Sequence, residues 1–421
     1  MPRAPGRIFA DGERDLADAL VAALRAPDTD HDVADTLTHP FHTYPARLHP
    51  ATARVLVDVV GSVAQRDVSR APGMSERPTI LDPFCGSGTA LVEARAEGFR
   101  AVGVDLNPLA VLVARAKTWS VSGKRRRDLR EIGHAIAGEV LAAGKAARRS
   151  GAQPMGQRKP AGFDPNARNR RLASWFAPHV RRELELLAKH LDDLRERDIE
   201  LADVLTACLS AILYKVSSRT SDTDGTWVDR NIARGAAARQ FSGRIDLLEA
   251  GLHDLTRVAG GTVEVFEQDM RRLAAAVPEG SVAGIITSPP YAGTYDYAEH
   301  QRLRFDFLGL RHRALDAGEI GARRSFHTSM EGERQWRRAL TDALDAMTGA
   351  LAPNALAAIV IGDSFAGGRA MYALDDLRSA LTDDLVVAAW ASQERPMLGA
   401  AERNAFGDRR KAEHVMLLRR R

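Results

Sequence analysis

Short apolar runs alternate along this chain with longer stretches in which apolar residues recur at helical spacing. Seven runs, at 79–81, 101–104, 263–266, 282–287, 355–361, 385–390 and 413–418, read as buried strands. Brief apolar segments bounded by polar or turn residues fit a sheet covered on both faces. Helical stretches lie between most of them. That alternation predicts an α/β fold: an open, seven-stranded, mostly parallel sheet with helices on both faces. The second and third strands are separated by far more residues than one crossover helix needs. Within that interval 180–194 reads as an amphipathic helix with Leu184, Leu187, Leu191 and Leu194 on one face. The stretch 201–216 reads as a more apolar, more buried helix, and 239–255 as a third with Ile245, Leu248 and Leu252 aligned. The interval is expected to form a helical insertion whose leucine faces extend the core. The chain then divides into 1–120, which opens the sheet domain, 121–260, a basic linker and the insertion, and 261–421, which completes the sheet.

The ends of the strands carry the residues with chemistry to offer. The run 282–287 is followed by Ser288-Pro289-Pro290-Tyr291, and two consecutive prolines cannot continue a sheet. The backbone must leave in a stiff loop that presents a hydroxyl, an aromatic ring and carbonyls without strand partners. Such a loop suits a planar, amino-bearing ring such as a nucleobase; a plain Pro-Pro turn is the alternative. Upstream, the strand at 79–81 runs into Asp82-Pro83-Phe84-Cys85-Gly86-Ser87-Gly88-Thr89 and then a helix. Glycines at such a turn permit positive φ and let backbone N–H groups approach a ligand. The next strand ends on Asp105, where units of this kind place an acid for ribose hydroxyls. The glycines do not follow Gly-x-Gly-x-x-Gly and no lysine follows them, which argues against a dinucleotide or a phosphate-cradling P-loop. What remains is a nucleoside-containing ligand without a pyrophosphate, and S-adenosylmethionine fits.

Asp-Pro-Phe-Cys-Gly-Ser-Gly-Thr resembles the cofactor motif of the S-adenosylmethionine-dependent amino-methyltransferases that act on DNA. Thr287-Ser288-Pro289-Pro290-Tyr291 resembles the catalytic motif of their cytosine-N4 branch; the adenine-N6 branch usually carries Asp or Asn where this chain has Ser288. The stretch 41–50, Phe-His-Thr-Tyr-Pro-Ala-Arg-Leu-His-Pro, is similar to the family's N-terminal motif, which closes over the methionine part of the cofactor. Asp269 sits where the family often places an acid near the adenine amino group. The resemblance implies a Rossmann-like methyltransferase sheet with a reversed hairpin at its C-terminal strands. It implies cofactor contacts from Tyr44, Asp82, Phe84, Cys85, Gly86, Ser87, Gly88, Thr89, Asp105, Asn107 and Asp269. It makes Ser288, Pro289, Pro290 and Tyr291 the catalytic set. In that reading the Ser288 hydroxyl and the Pro289 carbonyl accept hydrogen bonds from an exocyclic amine and Tyr291 stacks on a base flipped out of the duplex. Tyr295 and Tyr297 follow, suited either to stack on that base or to pack beneath the loop. Adenine-N6 methylation, guanine-N2 methylation of RNA and a catalytically silent DNA-binding subunit stay open as alternatives. A C5-cytosine enzyme would need a Pro-Cys pair; here Tyr follows the prolines and Cys85 belongs to the glycine loop.

Composition narrows the setting. The chain has 421 residues, 45% hydrophobic and 27% charged, enough for a sizeable core. Its two cysteines suggest neither a disulfide scaffold nor a zinc site, and no metal-ligand spacing stands out. No apolar stretch reaches bilayer-spanning length, so a cytoplasmic protein without a membrane partner is expected. Net charge is only +4, but residues 121–180 hold thirteen Lys or Arg against four Asp or Glu. The clusters Lys124, Arg125, Arg126, Arg127 and Arg168, Arg170, Arg171 lie among Gly, Pro and Asn. They read as a flexible basic segment for the phosphates of double-stranded DNA, or else as a solvated linker. Arg219, in the polar loop 217–227, and Tyr295 complete the expected nucleic-acid contacts. The resemblance also leaves room for a cognate restriction or defence system as partner.

Overall fold

The computed structural model describes residues 6–68, 77–149, 175–220, 226, 228, 230–258, 260–326 and 330–421. All seven expected strands form: β2 (Thr79–Asp82), β3 (Arg100–Asp105), β4 (Val263–Glu267), β5 (Val282–Thr287), β6 (Leu351–Gly362), β9 (Leu385–Glu394) and β10 (Ala412–Arg420). Three more join them. β1 (Ile8–Gly12) makes the main sheet eight-stranded, and β7 (Ser364–Ala366) pairs with β8 (Arg369–Met371) in a separate two-stranded sheet. The order is β1-β9-β10-β6-β5-β2-β3-β4. Strands β6, β5, β2, β3 and β4 are parallel. β10 inserts antiparallel between β6 and β9, which is the reversed hairpin the resemblance implied, and β1 adds antiparallel to β9. The sequence hides β1 because four of its five residues are exposed at the sheet edge and show no apolar run.

Alternation across the strands builds two cores. Leu81, Ile285, Ile359, Met416 and Leu418 face one side and meet α12 (Glu331–Ala350) and α13 (Ala373–Ser379). Ile80, Ile286, Val360, Val415 and Leu417 face the other and meet α1 (Arg14–Thr29), α2 (Pro50–Val68) and α3 (Thr89–Ala96). Successive strand side chains point to opposite faces, so sheets clothed on both sides need apolar residues at every position. From β2 the chain steps outward to β3 and β4, then returns to the opposite flank of β2 as β5. The crevice outside the carboxyl ends of β2 and β5 is therefore the topological switch point, where ligands bind in open α/β sheets.

The insertion is helical as expected: α6 (Pro178–Arg195), α7 (Ile199–Ile212) and α8 (Ala236–Leu255), with Leu184, Leu187, Leu191 and Leu194 buried. One apolar cluster runs from these helices into Val92 of α3, Ala116 of α4 (Pro108–Lys117) and Phe307 of α10 (Arg302–Leu308), so the insertion packs on the sheet domain. The first basic cluster differs from expectation. Residues Gly123–Arg149 form one long helix, α5, rather than a flexible stretch. Its alanine-rich second half favours helix, and Leu129, Ile136, Ala137 and Val140 bury one face against the same cluster. Among the described residues no helix is long and apolar enough to cross a membrane.

Candidate active site

The glycine loop starts where β2 ends. Gly86 and Gly88 have φ +48° and +79°, and a Cβ on Gly88 would come within 3.0 Å of the Ala114 side chain. The glycines thus serve both the turn and the close packing of α3 on α4. Asp105, at the end of β3, ties the loop down: one carboxylate oxygen accepts from Gly86 N at 2.8 Å and the other from Asn107 N at 2.8 Å. Asn107 caps α4 by accepting from Leu109 N and Ala110 N. It also donates through its amide nitrogen to the Tyr44 hydroxyl at 3.0 Å. Asp82 is buried, and its Oδ1 accepts from Thr287 Oγ1 at 2.7 Å and from Phe84 N at 3.2 Å. The Thr287 contact spans the switch point and joins the end of β2 to the end of β5, one residue before Ser288.

These elements enclose a single cleft. It is lined by Tyr44, Ala46, Arg47 and Leu48 from the N-terminal segment and by Asp82 through Ser87 and Thr89 from the glycine loop. Asp105, Leu106, Asn107, Asp269, Met270, Ser288, Pro290, Tyr297 and the stretch Gly318, Glu319, Ile320 also contribute. The glycine loop and the Pro-Pro loop therefore share one cavity. Ser87 Oγ and Thr89 Oγ1, at the start of α3, are buried there without a hydrogen-bond partner, so the site offers polar groups still to be satisfied. Carboxylates dominate. Burial pushes Asp82 up to about 7, with the Asp105 charge adding to it, against the hydrogen bonds from Thr287 and Phe84 N. Burial likewise raises Asp105 to about 6 and raises Glu319. For Asp269 burial pulls upward but is outweighed by the Arg271 guanidinium, 2.5 Å away, which holds the carboxyl below its usual range. Burial also raises Cys85, so its thiol stays protonated.

The N-terminal segment is pinned at several points. His39 Nε2 lies 2.6 Å from buried Glu93, which also pairs with Arg54 at 3.0 Å. Arg47 donates to the His39 carbonyl, Thr38 Oγ1 to the Lys117 carbonyl, and His42 Nε2 meets Ser210 Oγ at 3.0 Å. These bonds set Tyr44 beside Gly86.

Within the tetrapeptide the structure separates the members. Ser288 and Pro290 line the cleft; Pro289 is buried and, like Tyr291, is not part of the lining. The Tyr291 ring lies over Gly362, where a Cβ would come within 2.7 Å of it, and its hydroxyl donates to Glu413 at 3.2 Å. Tyr297 lines the cleft and meets Tyr295 at 5.6 Å between ring centroids. Glu319, which sequence reading missed, accepts from Tyr297 N and pairs with Arg324. Nothing periodic marks it, since a loop residue aimed into a cleft leaves no pattern.

Of the expected nucleic-acid contacts, three on α5 are already engaged with acids. Lys124 pairs with Asp128 at 3.1 Å, Arg125 with Asp198 at 2.6 Å and with Glu200, and Arg126 with Glu249 at 3.6 Å. Arg127 is exposed. Arg219 lies over the Trp175 ring at 4.5 Å. Arg168, Arg170 and Arg171 lie outside the described residues, as do 221–225 and Trp227 of the polar loop.

No family model matches the chain. Over 289 residues it is 24% identical to the Type II methyltransferase M.MvaI of Kocuria varians, an alignment that takes in 65% of this chain and 58% of that protein. The chain thus spans less than two thirds of the relative's length. Among solved structures it is similar to TrmN from Thermus thermophilus, at 13% identity and a TM-score of 0.34, covering 91% of this chain and 52% of that one. It is also similar to the rRNA methyltransferase aviRa from Streptomyces viridochromogenes, at 14% identity and a TM-score of 0.26, covering 86% and 84%. Scores this low describe a loose likeness of shape.

Proposed function

We infer that this chain is an S-adenosylmethionine-dependent methyltransferase that modifies the exocyclic N4 amine of cytosine in DNA. The observation that carries the reading is the shared cleft: the glycine loop and the Ser288–Pro290 turn line one cavity at the switch point of the sheet. The alignment with a Type II methyltransferase supports methyl transfer as the reaction.

The donor set suits the cofactor. Asp105 would take the ribose hydroxyls, Asp269 the adenine amino group, and Tyr44 with the 86–89 loop the methionine end. The unpartnered hydroxyls of Ser87 and Thr89 sit at the start of α3, where a carboxylate is favoured. Carboxylates at Asp82, Asp105 and Glu319 give the cleft the sign that suits a cation. Bound there, the cofactor supplies a methyl group carried on positively charged sulfur. The chain's part is to bring a base amine into line with that methyl and make its lone pair available. The Ser288 hydroxyl accepts from the amine at the cleft wall. The resemblance gives the second acceptor to the Pro289 carbonyl, next to the Pro290 carbonyl that accepts from Trp336. An amine methylated in this way would become cationic, and its extra proton would pass to water.

Incubating the protein with S-adenosylmethionine and unmethylated DNA, then hydrolysing the DNA to nucleosides, tests the reading. N4-methylcytosine is expected. N6-methyladenine would overturn the base assignment, and transfer to RNA alone would overturn the substrate class.

A further inference from the structure

The loop 288–294 is held by groups that lie outside its tetrapeptide. Two prolines leave the stretch rich in carbonyls and short of N–H groups, so backbone pairing cannot set its path. The donor comes from a side chain instead: Trp336 Nε1, on α12, donates to the Pro290 carbonyl at 3.0 Å. Trp336 is 2% exposed and packs in the apolar cluster of that face with Leu340 and Leu344, which fixes the direction of the indole. Gly321 makes room for the contact. Its φ is +71°, and a Cβ there would lie 3.0 Å both from Trp336 Cδ1 and from the Tyr291 carbonyl oxygen. Further along, Gly293 N donates to the Gly321 carbonyl at 3.0 Å, and Ser364 Oγ to the Ala292 carbonyl at 2.6 Å. On the opposite side of the same turn, Ser288 and Pro290 face the cleft.

We propose that Trp336 is a positioning residue for methyl transfer: by holding the Pro290 carbonyl it orients the neighbouring peptide groups, and with them the Ser288 hydroxyl, toward the substrate amine. The proposal rests on the methyltransferase reading above and deepens it. Trp336 is not part of the cleft lining, so its effect reaches the reaction only through the loop. Removing the donor leaves the ring packed and lets the loop drift. A displacement of about 1 Å at reacting groups can cost roughly a hundredfold in rate. The contacts assigned to the cofactor lie on other elements and stay in place.

The test compares full-length wild type with Trp336→Phe. Single-turnover transfer of tritium-labelled methyl from S-adenosylmethionine to unmethylated plasmid DNA is measured, together with the KM for S-adenosylmethionine. The expected result is a rate lowered by about ten- to a hundredfold with KM for the cofactor within about twofold of wild type. Should the phenylalanine protein fail to fold, incorporation of benzothienylalanine at position 336 keeps the shape of the indole and removes only its N–H, and the same split is expected. An unchanged rate overturns the proposal. So does a loss that appears in cofactor affinity as much as in rate, because that is what a purely structural role would produce. If wild type binds the cofactor yet transfers no methyl group to DNA, the functional reading fails and takes the proposal with it, an outcome separated from the others by the wild-type reaction alone.

Discussion

Asp82 and Asp105 face the cleft with hydrogen bonds from neutral donors only, and burial holds their carboxyls at about 7 and about 6. A raised carboxyl keeps a proton in the folded chain that the unfolded chain has already lost. Its contribution therefore costs stability as pH rises from about 4 toward 7, and the cost levels off above that. A cationic ligand reverses the preference by favouring the carboxylate. Affinity for S-adenosylmethionine should accordingly rise with pH up to about 7 and then flatten, with proton release on binding. Calorimetry across that range checks this, and Asp82→Asn should leave only the lower part of the rise, from Asp105. Affinity that falls with pH would contradict the charge assignment. Asp105→Ala should weaken cofactor binding by one to two decades, since removing a hydrogen bond to a charged group costs about 1.5–3 kcal/mol. Tyr291→Ala should act differently, because its ring lies on Gly362 outside the cleft lining while its hydroxyl is hydrogen-bonded to Ser288 and donates to Glu413. Turnover is expected to fall through the loss of support for Ser288 while cofactor affinity, measured in parallel, stays near wild type; equal losses in both would remove Tyr291 from the support of Ser288.

At the scale of elements, α5 shows what composition conceals. A cluster of four basic residues reads as a solvated or phosphate-seeking stretch, yet three of them face acids supplied by α5 itself and by the surroundings of α7 and α8. Asp128 is the i,i+4 neighbour of Lys124, but Asp198, Glu200 and Glu249 are distant in sequence, and no local window contains them. Asp198 both caps α7, by accepting from Leu201 N, and holds Arg125. Asp198→Ala should lower stability by about 1–2 kcal/mol through removal of the cap alone, readable as a shift in the denaturant midpoint. Arg125→Ala should leave the salt dependence of DNA binding unchanged. Neutralising Arg168, Arg170 and Arg171 together should flatten it, by about 0.9 in log–log slope for each phosphate no longer neutralised. A slope that responds to Arg125 and not to the later arginines would reverse the assignment. The helices α6 and α8 were legible for the opposite reason, since their apolar period records burial directly, and α7 was legible from its nearly continuous apolar run, whatever they pack against.

For the whole molecule, the six inner strands and their covering helices follow from apolar runs, because a sheet buried on both faces writes itself as continuous hydrophobic sequence, and the edge strand β4 is still marked by Val263, Val265 and Phe266. The exposed edge strand β1 writes nothing of the kind, nor does the short β7–β8 pair. The site was legible as two loops at strand ends, from glycine and proline chemistry. That they line one cleft, bridged by Thr287 and Asp82, required the strand order, which periodicity does not carry. Glu319 and Trp336 entered only through their tertiary neighbours. The central claim is that this one cleft brings a methyl donor and a cytosine amine together. Nucleoside analysis of unmethylated DNA treated with the protein and S-adenosylmethionine tests it most directly. The account predicts N4-methylcytosine in wild-type reactions and its loss with Ser288→Ala or Tyr291→Ala; DNA that carries no methylated base, or N6-methyladenine in its place, would contradict it.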